Sequence, residues 1–265
     1  MALRRTAAAL SCAISLAAVP ALAAESVPLA AHRANYDLTL DKVRSDDVAD
    51  ARGTMTYEMD DACDGWATQQ RLDMHLTNRD GQDVEMITDY ATWESKDGLR
   101  MRFHLRQTTD TAVTEQVDGE ASLDGPGKGG TIHYTLPKPK EMSLPSGTLF
   151  PTAHTAAILA AAEDGKKFLN IPIFDGTGDN GVQQSSVLIL SWNPPSPAPE
   201  PVLEKLASGR VRIAFFKAGG GDQSPDYEVG MRYWSNGVAD GLNMDFGDFV
   251  MQGKLNQFEL RPPHC

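Results

Sequence analysis

Basic residues are scarce in this 265-residue chain: 24 Lys and Arg stand against 36 Asp and Glu, a formal charge of −12. Phosphate backbones and anionic membrane faces repel such a chain, which argues against nucleic-acid binding. Cysteine is scarcer, with only Cys12, Cys63 and Cys265. No Cys-x-x-Cys or His-Glu-x-x-His pair occurs, so zinc has no motif to bind. No Gly-x-Ser-x-Gly elbow, Ser-x-x-Lys pair or phosphate loop is present either. After the first two dozen residues no apolar run approaches the roughly 20 residues needed to span a bilayer.

What the chain has begins with a leader. Arg4 and Arg5 precede an apolar stretch over residues 6–19, Pro20 breaks it, and Ala21-Leu22-Ala23 offers a small-x-small cleavage site. These are the three parts of a Sec-type signal over residues 1–23. Its removal takes away two Arg and no acid, so the charge of −12 becomes −14. Cys12 leaves with it, and Cys63 and Cys265 stand almost at opposite ends of what remains. Export to an oxidising compartment favours an intramolecular bridge between them over free or intermolecular thiols. Closing a loop of roughly 200 residues would add at most about 5 kcal/mol. The acidic turn around Cys63, from Asp61 to Gly65, works against a reactive thiolate.

Alternation of apolar and polar residues dominates from residue 32 onward and predicts antiparallel sheet, wet on one face and dry on the other. Leu99, Met101, Phe103 and Leu105 alternate with Arg100, Arg102, His104 and Arg106. The same pattern runs through 36–40, 54–59, 66–76, 132–136, 211–215, 227–233 and 242–246. Asn236-Gly237 predicts a type I′ hairpin, and Lys96-Asp97-Gly98 a tight turn. The proline-rich stretch at 192–201 reads as an extended, solvated loop inside a single domain spanning 24–265. One segment breaks the rule. Residues 151–165 predict a helix, with Thr152 as N-cap and Gly165 as stop. Residues 156–162 are apolar on every side, which predicts a buried helix with curved sheet around it.

Several stretches carry a resemblance: Ala31-His32-Arg33-Ala34-Asn35-Tyr36-Asp37-Leu38-Thr39-Leu40, then Gly53-x-Met55-x-Tyr57-Glu58 leading to Cys63. Leu149-Phe150-Pro151-Thr152-Ala153-His154-Thr155 and Phe174-Asp175-Gly176-Thr177-Gly178-Asp179-Asn180-Gly181 follow. Last comes Asn236-Gly237, running into Met244-Asp245-Phe246-Gly247-Asp248-Phe249-Val250. In this order they resemble the EipB family of periplasmic cell-envelope-integrity proteins of alphaproteobacteria. The resemblance implies a mainly β fold: a highly curved, spiral-like antiparallel sheet around one helix, distantly similar to the LolA and LolB carriers of lipoproteins. It also implies a periplasmic location, a Cys63–Cys265 disulfide and a role in resisting envelope stress with no defined reaction. The chain departs from the family at residues 194–201 and in its end at Cys265.

The remaining motifs have plainer readings. Gly125/Gly127/Gly130 and Gly176/Gly178/Gly181 fit a dinucleotide spacing, but strand-like sequence follows both, so both read as turns. Asp175 to Gly181 could offer oxygens to calcium, yet lacks EF-hand spacing and reads as an Asx turn. His75, His104 and His133 fall on the polar faces of separate strands, and His154 enters with the helix. The sequence therefore points to a non-catalytic protein without metal or cofactor. Its ligand is a lipid, a lipoprotein or another envelope protein, with contacts on the helix at His154, Ile158 and Leu159. The alternative is an envelope hydrolase using His154 and a neighbouring carboxylate. An outer-membrane barrel fits poorly, because an apolar helix does not suit a polar lumen.

Overall fold

The computed structural model describes residues 29–217 and 224–262. The leader and Cys265 lie outside them. The described strands form one 14-stranded antiparallel sheet. Its first half contains β1 (His32–Val43), β2 (Val48–Asp61), β3 (Gly65–Asn78), β4 (Asp83–Ser95), β5 (Arg100–Thr109), β6 (Ala112–Leu123), β7 (Gly130–Leu136) and β8 (Lys140–Leu144). A helix, α1 (Pro151–Glu163), leads to the second half: β9 (Phe168–Ile173), β10 (Gln183–Ile189), β11 (Ser208–Lys217), β12 (Tyr227–Trp234), β13 (Ala239–Asp245) and β14 (Phe249–Leu260). Each half is a meander of neighbouring strands. The halves join where β1 pairs with β14, so the helix links the two outer edges, β8 and β9.

The alternation seen in the sequence is the alternation of the sheet. Met101, Phe103 and Leu105 are buried, as are Leu72 and Met74, and Tyr36 and Leu38. One core gathers Ile158, Leu159, Ala161 and Ala162 of the helix with side chains from β1, β2, β3 and β10 through β14. A second lies over β5 to β8 and contains Phe150, Phe174 and Val182. The Phe174 ring meets Phe103 edge-on at 5.2 Å, with Tyr134 and Phe150 also in edge contact. The segment after β9 thus packs on β5 to β8 and brings the two edges of the sheet together.

Several expectations need correction. The helix is not enclosed on every side: Ala160 and Glu163 are exposed, and the buried face is His154, Ile158, Leu159, Ala161 and Ala162. Alanine is small enough to sit at a solvent edge without a large apolar penalty, so a run of Ala does not report burial by itself. Phe150 occupies the N-cap position with no side-chain cap, and Thr152 is the second residue of the helix. Gly165 does end it, at φ +73°, with its N–H donating to Ala162 and that of Lys166 to Ala161, a Schellman pattern.

The Asn236-Gly237 hairpin forms, but its turn is not type I′. Among the described residues only Gly237 of this pair takes positive φ, at +85°, and Trp234 closes on Val238 around three residues. A three-residue loop with glycine in the left-handed position gives the strands the same twist with one strained residue fewer. The proline-rich stretch is only partly a solvated excursion. It ends in a 3-10 turn, Pro201–Leu203, whose Leu203 is buried against Trp234 and Val238 with Ala198 alongside.

Ile158→Ala should destabilise the protein by about 2–5 kcal/mol, because it empties a fully buried site at the centre of the main core. Ala160→Ser at the exposed edge should change stability by less than about 0.5 kcal/mol. Urea unfolding of the two variants measures both.

Candidate functional site

The first half of the helix faces a cavity of about 360 Å3. Strands from both halves of the sheet line it, so the sheet is strongly curved. One wall is polar: Thr68, Gln70, Tyr90 and Thr92 from β3 and β4, with Asp175 and Thr177 beyond β9. The β11 to β13 side is mainly apolar, with Ile213, Phe215, Val229, Met231, Leu242 and Met244 beside the rings of Tyr227 and Tyr233. Thr152, His154 and Thr155 of α1 lie between, and Tyr57 stands near Tyr90. Tyr57, Tyr90 and Asp175 keep some accessible surface although protein surrounds them, because that surface looks into the cavity.

Two carboxyls stand on the polar side: Asp175, half-buried in the cavity wall, and Glu94, buried outside it. Glu94, at the end of β4, is 1% exposed. Its two oxygens accept the Thr152 backbone N–H at 2.9 and 3.0 Å, and Oε1 accepts the Thr152 hydroxyl at 2.7 Å. A side chain of the sheet therefore does what the helix's own N-cap does not, and the positive end of the helix dipole favours a carboxylate there. Burial nevertheless dominates and pushes the Glu94 carboxyl up to about 7, against the pull of its Thr152 bonds. Asp175 Oδ1 accepts the Thr177 N–H at 3.0 Å and hydroxyl at 2.8 Å, the Asx turn expected there. Its main-chain oxygen accepts the Tyr90 hydroxyl, and burial raises its carboxyl pKa as well.

His154 is 3% exposed and lines the cavity. Its Nε2 lies 2.8 Å from Ser185 Oγ, and that hydroxyl donates to the Ile171 carbonyl at 2.9 Å. With the serine proton held by a backbone oxygen, Nε2 is the donor of the pair. This is the reverse of what a general base activating a nucleophile requires. Burial drops the His154 pKa to about 4, so the ring is neutral at neutral pH. Ile158 and Leu159 are packed in the core and are not part of the cavity wall.

The other histidines do not converge. His104 contacts Asp118 at 2.5 Å and His133 contacts Glu141 at 3.3 Å, each on its own strand pair. His75 lies with Asp73 and Glu85 on β3 and β4, their ligand atoms within 4.8 Å of one another. All three are part-exposed, and two carboxylates beside a histidine are ordinary on an acidic surface.

Residues 23–262 match the EipB-like family. The chain belongs to that family. Among curated proteins it is 33% identical over 251 residues to the cell envelope integrity protein EipB of Brucella abortus (strain 2308), covering 91% of this chain and 87% of the relative. Among solved structures it superposes, with a TM-score of 0.81 and 29% identity, on a β-barrel-like protein of unknown function from Brucella abortus. That match covers 89% of this chain and all of the other. Within this EipB-like chain, Glu94 and Tyr90 escaped sequence reading, and Tyr57 entered it only as part of a strand. A usable signal was present in Thr88, Tyr90, Thr92 and Glu94, an alternating row of β-forming polar residues. Among the described residues no helix is long and apolar enough to cross a membrane.

Glu94 and His154 should pull stability in opposite directions as pH changes. The Glu94 pKa rises from 4.5 to about 7 on folding, so its contribution is full below 4.5 and lost as pH climbs through 7. The His154 pKa falls from 6.5 to about 4, so its contribution is full above 6.5 and lost as pH drops through 4. Each is worth about 3 kcal/mol between its limits, so the two nearly cancel between pH 4.5 and 6.5. Asp175 and His32, shifted up and down respectively, add one to each side. Glu94→Gln should therefore lose stability on acidification through this window, and His154→Gln should gain it. Denaturant melts at pH 4.5, 5.5 and 6.5 provide the check.

Proposed function

We propose that this chain is a non-catalytic protein of the periplasm that supports cell-envelope integrity by holding an apolar moiety, of a lipid or of an acylated envelope protein, between its helix and its curved sheet. The observation that carries this reading is the cavity beside α1, whose β11–β13 wall is mainly apolar. A volume of about 360 Å3 lies within the range of small-molecule sites and is ample for a short acyl chain. Family membership and the name of the Brucella relative support the envelope role. The apolar, Arg-led segment at residues 1–23 supports export as a cleaved signal, leaving 24–265 as a single domain. The hydrolase alternative has less support, because His154 donates to a serine whose own proton is already engaged. Binding tested with fluorescent fatty-acyl probes and envelope lipid extracts should show saturable uptake. It should weaken several-fold in Met231→Lys, which puts a charge into the apolar wall, and blank titrations with every probe would remove the ligand reading.

The Cys63–Cys265 disulfide belongs to the same proposal, and the register supports it. His32 pairs with Leu260 on one side and with Met59 on the other, so the end of β14 lies one strand away from the end of β2. Arg261 then reaches across to Asp60 and Glu58, at 2.7 and 2.6 Å. Arg261 is thus held beside the strand end that leads into the turn of Cys63, whose N–H donates to Asp61 at 3.0 Å. Cys63→Ser should lower the melting temperature by several degrees and leave the circular dichroism spectrum unchanged. Identical melting of oxidised and reduced protein would contradict the bridge.

A further inference from the structure

The cavity is charged on one side only. Asp175 lines the polar wall, and its Oδ1 is fully occupied by Thr177. Oδ2 has a single long contact, from Gln183 Nε2 at 3.4 Å. Among the described residues that line the cavity none is Lys or Arg, so none of them sets a fixed cation against this carboxylate. Glu94 stands behind Thr152 and adds to the same sign, since both carboxyls act electrostatically on Tyr90. Tyr57 and Tyr90 supply aromatic rings beside them, and such faces attract cations. Burial raises the pKa of both carboxyls, which means that the site already resists the negative charge it carries. A third anion would meet the same resistance, and a cation would relieve it.

We infer that the cavity selects an amphiphile with a cationic head, seated against Asp175 and the rings of Tyr57 and Tyr90, with its chain laid on the β11–β13 wall. This rests on the ligand-binding reading above and names the ligand class. An anionic head, such as a free fatty acid carboxylate, ranks last, and an uncharged head falls between. The acidic exterior also attracts cations, but that attraction is screened by salt with a Debye length of about 4 Å at 0.5 M, whereas an enclosed pair is screened far less.

Decylamine, decanol and decanoate share one chain and differ only in the head. Each is titrated in 0.5 M salt at pH 7.5 against the full chain loaded with the uncharged fluorophore N-phenyl-1-naphthylamine. Decylamine should displace the probe about tenfold more tightly than decanoate, a margin that corresponds to about 1.4 kcal/mol. Asp175→Asn should remove most of that margin while leaving decanol within about twofold. Decanoate binding as well as decylamine overturns the inference, and so does an amine preference that survives Asp175→Asn. If the variant fails to fold, the order of the three ligands on the unaltered protein decides alone. Displacement by decanol with no advantage for the amine sinks the head-group inference only, whereas no probe uptake and no competition by any of the three sinks the ligand reading with it.

Discussion

The pairing of the first strand with the last is the constraint on which the rest of the molecule depends. Without the β1–β14 ladder, the chain is two meanders tethered through α1, each with an unpaired edge where the other should be. The ladder joins residues more than 200 positions apart, from His32 with Leu260 to Val43 with Phe249. Closing so long a loop precedes any reward from the contact, so this step dominates the ordering of the fold. Register slips at Asn35/Tyr36 and Leu40/Lys42 add local twist to the ladder, and twist helps the sheet curve. Ion pairs lock both of its ends. Arg261 ties the end of β14 across β1 to β2, and Arg44, just after β1, grips Asp245 with both guanidinium nitrogens at 2.6 and 2.7 Å. The Arg44 bonds hold the Asp245 carboxyl below its usual range.

The helix inherits its place from that closure and creates a second demand. A helix start buried against sheet leaves backbone N–H groups without water, and neither Phe150 nor Pro151 can cap them. The sheet answers with Glu94. The same carboxyl then makes this part of the interior polar, and Thr92, Tyr90, Thr68 and Gln70 continue the polarity along β3 and β4. The cavity is therefore two-faced for a structural reason. One wall follows from the helix's need for an acceptor, and the other is ordinary apolar sheet.

These two origins explain what could be read in the sequence. Strands with clean alternation were legible: Met101, Phe103 and Leu105 of β5, Tyr227 to Tyr233 of β12, and Leu242 and Met244 of β13 have the inward face expected, although Asp245 is buried too. The helix and its Gly165 stop were legible as well. β4 was not, because its inward row of Thr88, Tyr90, Thr92 and Glu94 is polar and mimics a solvent face. Position alone hides Glu94: its partner Thr152 lies 58 residues away, and only the folded sheet brings them together. His154, expected at a ligand with the helix, lines the cavity, whereas Ile158 and Leu159, expected there too, pack in the core. Local periodicity reports which residues face inward. It does not report whether the inside is packed or hollow.

The hollow is also tied to the seam of the sheet. Asp175 follows directly on Phe174, whose ring lies among Phe103, Tyr134 and Phe150. Downstream, the Tyr134 hydroxyl donates to Gly178 and accepts from the Gly181 N–H, both at 3.2 Å. One short segment thus presents a carboxylate to the cavity on one side and joins the two outer edges of the sheet on the other. A head group reaching Asp175 would press on this segment and on Thr177, which braces it. Aromatic packing around Phe174 sets how far it can yield, so the rigidity of that cluster fixes how well the site is pre-organised. Residues 174–181, the stretch that glycine spacing alone would have assigned to a nucleotide, therefore serve both the cavity wall and the seam of the sheet.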